Sequence, residues 1–462
     1  MTRVLIISSE PIGTRMAGPA IRDWECARVL SQTCQVTIAA PDAGGLQPNG
    51  FTLKSYQSHK SLAALVAQAD VVITSGYTVR RHPFLKRVDR PLVLNLTHSF
   101  VLEGLQQFAN ERMSVRREMH REFVTTLNEL LLVGDLFVCN TERQRDFWLG
   151  MLSALGRVNP LTFDADSSLR NLVVVVPFGL PDEPPRHTRS VLKGVYEGIA
   201  ADDKVILWGG GIYDWLDPLT LIQAMALVVK RRPDVRLFFP GTHHPNPGVL
   251  PSRKVDQTLQ LSETLGLRDR WVFFHDWVPY AERQNYLLEA DVGISLHLDH
   301  LETRYAFRTR VLDYVWAGLP MVVTEGDAAA DLVASHDLGR VVGYGDAEGV
   351  ATALLELLET PNLRAAHADS FAAVREQFRW SQTIRPLIEF CQSPRKAPDQ
   401  MRDTTDEYVR GPTTQPRAGW ERWRVRLQKG WHCYRQGGLG ALWREVRAFA
   451  RWRWSIGHGE GP

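Results

Sequence analysis

The chain has 462 residues. That is more than one hydrophobic core serves, and at roughly 150 residues per domain it predicts two or three domains. Hydrophobic residues make up 44% and charged residues 23%, the balance of a globular protein in water, and a formal net charge of +2 excludes a polyanion binder acting through its whole surface. No apolar run reaches roughly 18 residues, so no segment is expected to span a bilayer. The apolar run at 4–7 is too short for the core of a signal peptide. The five cysteines, Cys26, Cys34, Cys139, Cys391 and Cys433, are scattered, odd in number and without a CxxC pair. They are expected to be isolated buried thiols in a reducing compartment, with no zinc site.

Up to residue 180, short apolar runs alternate with helical patterns. Strands are expected at 4–9, 35–40, 70–76, 91–97, 136–141 and 172–179, because short Val/Ile/Leu runs suit strands covered on both faces. Helices are expected between them, among them 21–32 and 116–135. Such alternation predicts βαβ units and a doubly wound parallel sheet. In the first strand-to-helix loop, "SSEPIGTRMAGPAIRDWECARVL" (8–30), Gly13, Gly18 and Pro19 precede a helix that carries Arg22. Glycine lets backbone approach a ligand and a helix N-terminus favours anions. A tight turn without a ligand accounts for the same residues. The spacing is not GxGxxG, so a dinucleotide site is not indicated.

A proline-containing polar stretch, 181–194, reads as an interdomain linker. The alternation then restarts, with strands expected at 204–211, 236–241, 271–277, 291–297 and 320–326, and a second doubly wound domain over 195–378. Two such domains predict a cleft onto which the loops beyond the strand C-termini open. After the first of these strands, Gly209, Gly210 and Gly211 offer a phosphate-bearing ligand close approach, and the next helix is expected from Asp217 and Pro218. Trp208, Tyr213 and Trp215 belong either to a sugar or base pocket or to the core. Beyond the strand ending near His297 stand Asp299, Glu302, Arg304, Arg308, Arg310 and Asp313. A helix is expected from the N-cap Thr309 to Gly318. Three arginines at its N-terminus offer fixed charge to a diphosphate, and Asp313 can accept hydrogen bonds from a hydroxyl pair such as a ribose. A surface ion-pair cluster is the alternative reading.

The last part divides into a returning helix (379–395), a polar flexible linker (396–419) and a basic, Trp-rich tail (420–462). Between 410 and 454 the net charge is +9, and six of the fourteen tryptophans lie there. That mixture suits an amphipathic helix on an anionic membrane surface. Packing on the protein's own body and binding of nucleic acid or protein are the alternatives.

The segment "FRTRVLDYVWAGLP" (307–320) aligns without a gap with the "FGLxxLEAMAxGxP" pattern of glycosyltransferase family 4. From residue 1 to about 390 the chain resembles a GT-B enzyme of that family. The resemblance implies an α/β fold of two doubly wound Rossmann-like domains facing a cleft, to which the helical basic tail is appended. It places Asp313 at the family's second Glu position, the ribose ligand, and Tyr305 at the first, the donor-sugar contact. Glu302, three residues earlier, is the candidate substitute. The family's diphosphate-binding Arg and Lys, in "GRLxxxKG", are replaced by Gly211 and Leu216, while Arg308 and Arg310 stand on the neighbouring loop. We read this as a cationic role moved between loops. Gly18, Pro19 and Arg22 fall on the family's glycine loop and first helix, facing acceptor and diphosphate. His98, in "NLTHSFVLEGL" (95–105), falls in a polar loop facing the donor sugar. The backbone of Asp276, Trp277 and Val278 corresponds to the segment that holds the nucleobase. The stretch "CNTERQRDFW" (139–148) reads as structural, and 380–392 as the helix that crosses back to the first domain.

The function implied is transfer of a sugar from a nucleotide-diphosphate sugar to a hydroxyl acceptor with retained configuration, in cell-surface polysaccharide or glycolipid biosynthesis. Glu302, Arg308, Arg310 and His98 are the expected catalytic residues. Gly210, Gly211, Tyr213, Arg304, Tyr305, Thr309 and Asp313, with the 276–278 backbone, are the expected donor site. No metal and no separate cofactor are expected, since arginines replace the divalent ion and no Asp-x-Asp stands on a suitable loop. Nucleic acid is not an expected partner. The expected location is cytoplasmic, peripheral on the inner face of the cytoplasmic membrane through 420–454, with a lipid-linked saccharide as a candidate acceptor. The alternatives are an inactive GT-B scaffold that binds nucleotide sugar or a partner, and a GT-B epimerase or phosphorylase.

Overall fold

Runs such as "VVITS" and "LFVC" cannot leave either face in water, and the fold covers both. The computed structural model describes residues 1–401. In the first lobe, β1 (Arg3–Ile7), β2 (Gln35–Ala40), β3 (Thr52–Ser55), β4 (Val71–Ser75), β5 (Leu92–Asn95), β6 (Leu136–Cys139) and β7 (Val173–Val175) form one parallel sheet in the order β3-β2-β1-β4-β5-β6-β7. Alternate residues of β1 face opposite ways: Val4 and Ile6 join one buried cluster, Leu5 and Ile7 another. The second lobe repeats the design with β8 (Lys204–Trp208), β9 (Val235–Phe239), β10 (Val272–Phe274), β11 (Val292–Ser295), β12 (Met321–Thr324) and β13 (Gly339–Val342), ordered β10-β9-β8-β11-β12-β13. Strand order reverses between β1 and β4 and again between β8 and β11. A ligand crevice opens outside the strand ends at such reversals.

All eleven expected strands form. The two that sequence reading missed, β3 and β13, each lie at a sheet edge, where Lys54 and Arg340 interrupt the apolar pattern. Charge on an edge strand blocks further pairing, and it also erases the signal by which strands are recognised. The linker around 181–194 is tied to the second lobe. The Glu289 carboxylate accepts the N–H groups of Val191, Leu192 and Lys193 at 2.9, 2.7 and 3.0 Å. Cys26, Cys34, Cys139 and Cys391 are buried free thiols. Among the described residues no helix is long and apolar enough to cross a membrane.

Two expectations for the C-terminal part need correction. The returning helix is two short ones, Trp380–Thr383 and Arg385–Gln392, because Pro386 in the first turn of the second supplies no N–H for a continuous ladder. Trp380, Ile384, Leu387 and Phe390 bury themselves in the first lobe's core, so the chain does cross back. The second correction is that the start of the expected flexible linker is fixed. The Ala397 N–H donates to Asp135 (2.9 Å) and the Gln400 amide to the Leu132 carbonyl (2.8 Å). Asp399, fully buried, accepts from Arg157 at 2.6 and 3.1 Å. The polar composition of 396–400 concealed that its polar groups have buried partners. The remainder of the linker, the basic tail and Cys433 lie outside the described residues.

Removing one member of a buried ion pair strands the other's charge and costs about 3–5 kcal/mol. Asp399→Ala is therefore expected to lower stability by about 3 kcal/mol in urea unfolding followed by tryptophan fluorescence. A loss below about 1 kcal/mol would show that this segment is not docked.

Candidate active site in the interlobe cleft

The floor of the cleft is built on one tyrosine. The Tyr314 hydroxyl accepts the Gly209 N–H (2.7 Å) and lies 2.8 Å from the Ile294 carbonyl and 3.0 Å from that of Leu207, donating to one of them. Its ring lies over Gly293, where a Cβ would approach ring carbons to 2.7 Å, so only glycine fits. The hydroxyl thereby locks the helix Thr309–Ala317 to the ends of β8 and β11. That helix begins one residue earlier in role than expected: Arg308 is its N-cap, Thr309 its first residue, and no side chain caps it. Gly318 ends it in the left-handed conformation, φ 59°. Across the cleft the helix Gly18–Leu30 also starts without a side-chain cap, with Pro19 in its first turn. Two uncapped N-termini from opposite lobes thus border one cavity of about 410 Å³. Their unpaired N–H groups make an anion-favouring environment.

Four arginines line this cavity, and they fall into two pairs. Arg308 is bidentate on Glu302 (2.9 and 2.6 Å), with Nε 3.7 Å from Asp327. Arg283 donates to Asp313 (3.2 Å) and stacks over Tyr280 and Trp316 at 3.8 and 4.6 Å. These two charges are matched. Arg310 and Arg22 have no carboxylate within 4.0 Å among the described residues. Arg310 donates to the Gly211 carbonyl (2.8 Å) and packs over Trp208 (4.6 Å), and its Nη1 has no partner. Burial draws its pKa down to about 10. Arg22, 3% exposed, donates to Asn140 Oδ1 (3.2 Å) and the Val176 carbonyl (2.8 Å), and its Nε has no partner. Burial lowers its pKa as well. The adjacent Asp23 is a weak counter-charge, because burial raises its carboxyl to about 7. A guanidinium in such a place costs several kcal/mol unless an anion joins it.

The remaining expected residues divide. Gly18, Pro19, Gly210, Gly211, Tyr213, Trp277, Val278, Glu302, Thr309, Asp313 and His98 line the cavity. Gly210 needs its glycine, at φ 86°. The His98 side chain is 54% exposed, and Glu103, 3.6 Å away, outweighs what desolvation the cleft imposes and holds the imidazole above its ordinary value. Tyr213 lies parallel to Trp215 at 5.0 Å, and both are pocket residues, whereas Trp208 is fully buried core.

Three expectations fail. Arg304 is exposed and does not line the cavity. Tyr305, at the family's first Glu position, packs its ring on Phe147 of the first lobe (4.7 Å), and its carbonyl accepts from Gln144 (2.8 Å). Tyr305 thus makes an interlobe contact and does not line the cavity. Asp276 faces a second, shallower groove, paired with Arg15 (3.1 Å) and His243 (2.9 Å). Its carbonyl takes the Thr242 N–H (2.9 Å), and the Val278 N–H goes to Pro240 (3.0 Å), so these groups of the expected nucleobase segment are already engaged.

Sequence reading missed Arg283, Glu10, Glu103, Asn140 and Gln144, all of which line the cavity. Asn140 and Gln144 belong to the 139–148 stretch read as structural. Their position directly after β6, on the cleft side of a parallel sheet, was the available signal.

Two parallel doubly wound lobes with a site between them define the GT-B architecture of glycosyltransferases. Residues 203–360 match the family model described as glycosyl transferases group 1, so the second lobe carries that domain. The phosphatidyl-myo-inositol mannosyltransferase of Mycolicibacterium smegmatis is 27% identical over 161 residues, 35% of this chain and 37% of that one. The D-inositol 3-phosphate glycosyltransferase of Corynebacterium urealyticum is 27% identical over 203 residues, 44% of this chain and 46% of that one. The chain spans less than half the length of these curated relatives. In fold it is similar to Anabaena HepE, solved with UDP and glucose, with a TM-score of 0.58 and 14% identity over 85% of this chain and all of that one.

The Glu302–Arg308 pairing is testable by a double-mutant cycle. Glu302→Gln and Arg308→Met are each expected to destabilise by about 3 kcal/mol, and together by at least about 1 kcal/mol less than the sum. Additive losses in urea unfolding would mean that the pair does not form.

Proposed function

We propose that the chain transfers a sugar from a nucleotide-diphosphate sugar to a hydroxyl acceptor. The observation that carries this reading is the pair of arginines without a carboxylate partner, Arg22 buried and Arg310 half-buried with an enclosed, unpartnered Nη1, on opposite lobes beside two uncapped helix N-termini. A diphosphate supplies the negative charge this arrangement lacks. In the reaction the bond from the anomeric carbon to the β-phosphate oxygen breaks, and its electron pair leaves with the nucleoside diphosphate. Preorganised cations and N–H dipoles lower the barrier where that charge develops. The acceptor oxygen forms the new bond, and its proton passes to the departing phosphate.

Arg310 and Arg22 take the role first given to Arg308 and Arg310, because Glu302 already matches the charge of Arg308. The Glu302–Arg308 pair then offers a neutral rim of hydrogen-bonding groups to the sugar, and His98 a further donor. Asp313, oriented by Arg283, faces the ribose. Retained configuration follows from the likeness to family 4. The two arginines make a divalent ion and a separate cofactor unnecessary. Contacts across the cleft, among them Trp277 Nε1 to the Met16 carbonyl (3.3 Å), hold the lobes together around the ligand and limit hydrolysis by water. A membrane-borne acceptor, in glycolipid or surface-polysaccharide synthesis on the inner face of the membrane, is supported by the basic Trp-rich composition of 410–454 and by the lipid named for one relative.

The test is release of nucleoside diphosphate from a panel of nucleotide sugars. Arg310→Ala and Arg22→Ala are each expected to reduce release by about 100-fold, the scale of losing one transition-state donor. Release that survives both changes puts the diphosphate elsewhere. Tight nucleotide-sugar binding by the unaltered chain without release, across soluble and membrane acceptors, would identify a binding scaffold instead.

A further inference from the structure

Around Tyr213 the cavity lining changes character. The Tyr213 and Trp215 rings are stacked, centroids 5.0 Å apart and planes within 3° of parallel, and His244 stands 6.3 Å from Tyr213. From the first lobe come two carboxylates. Glu10 accepts from the Asn246 amide of the second lobe (2.6 Å), and Glu103 lies 3.6 Å from His98. Neither has a lysine or arginine within 4.0 Å among the described residues. Both act electrostatically on the Tyr213 phenol, as does Arg310, which ties this region to the anion subsite. His98 and Arg81 act on Glu10, Arg308 acts on Glu103, and Arg22 and Glu302 act on His98, all only at longer range.

Carboxylate oxygens accept hydrogen bonds from hydroxyl groups, an amide adds a donor and an acceptor, and aromatic surface covers C–H faces. That set suits a ring bearing several hydroxyls. Their negative charge, in full at Glu10 and shared with a protonated His98 at Glu103, repels a second anion brought into a poorly solvated space. Resting on the diphosphate reading above, we infer that the ring held beside Tyr213 is a neutral or amino-bearing cyclic polyol, and that Glu10 and Glu103 reject rings carrying a carboxylate or phosphate. One cavity therefore accepts negative charge at Arg22 and Arg310 and refuses it beside Tyr213. The ring is either the transferred sugar or the acceptor, since both would meet next to the diphosphate.

The experiment uses the full chain and calorimetric titration. UDP-glucose is compared with UDP-glucuronate, and GDP-mannose with GDP-mannuronate, each referred to the bare nucleotide. Methyl glucoside is compared with methyl glucuronide, with and without UDP. The neutral member is expected to bind at least about ten-fold more tightly than the acid, and Glu10→Gln with Glu103→Gln to cut that preference to about three-fold or less. A preference within the nucleotide-sugar pairs assigns the ring to the donor, and one confined to the glycosides assigns it to the acceptor. Both results support the inference. Equal or tighter binding of the acid in every pair, or a preference untouched by the two substitutions, overturns it. Failure of UDP and GDP to bind at all counts against the diphosphate subsite, and the glycoside pair without nucleotide then still decides this one.

Discussion

A guanidinium removed from water without a counter-ion is among the least favourable arrangements a folded chain can contain, and this cleft holds one in Arg22 and, in the half-buried Arg310, a second whose Nη1 is enclosed without a partner. The surrounding structure keeps Arg22 and Arg310 where they are. Arg310 is fixed by the Gly211 carbonyl and the face of Trp208, on a helix clamped by the Tyr314 hydroxyl. Arg22 is fixed by Asn140 and the Val176 carbonyl, at the mouth of the first lobe's sheet. The other two arginines of the cavity show the ordinary solution, a carboxylate at hydrogen-bonding distance. The same cavity thus contains matched and unmatched charge, and the unmatched charge marks where a ligand's own charge belongs.

Architecture was legible in the sequence because parallel strands buried on both faces leave uninterrupted apolar runs, as in 4–7 and 136–139. What escaped was governed by partners distant in the chain. Two of the four edge strands, β3 and β13, carry charge that hides them. The 396–400 segment reads as solvent-exposed until Arg157 and Asp135 are brought beneath it by the fold of the first lobe.

The site was legible in outline and less so in its assignments. The helix at 309–317, its arginines and the glycines after β8 were all identifiable, because strand ends and helix starts leave local marks. Which arginine is free was not, since that depends on Glu302 folding back six positions along the chain to engage Arg308. The role of Tyr305 depends on Phe147 and Gln144 of the opposite lobe, which no local pattern reveals. Tyr305, aligned with a ligand-binding glutamate, instead packs between the lobes.

That substitution has a mechanical meaning. Tyr305 grips the first lobe a few residues before Arg310, within the short stretch that also contains the Glu302–Arg308 pair. Separating the lobes must pull on the N-terminus of the helix that presents Arg310. Lobe separation and anion occupancy are therefore two sides of one thermodynamic linkage. Whatever factor by which a bound diphosphate favours the joined lobes is the factor by which joined lobes favour the diphosphate, and product departure has to work against both at once.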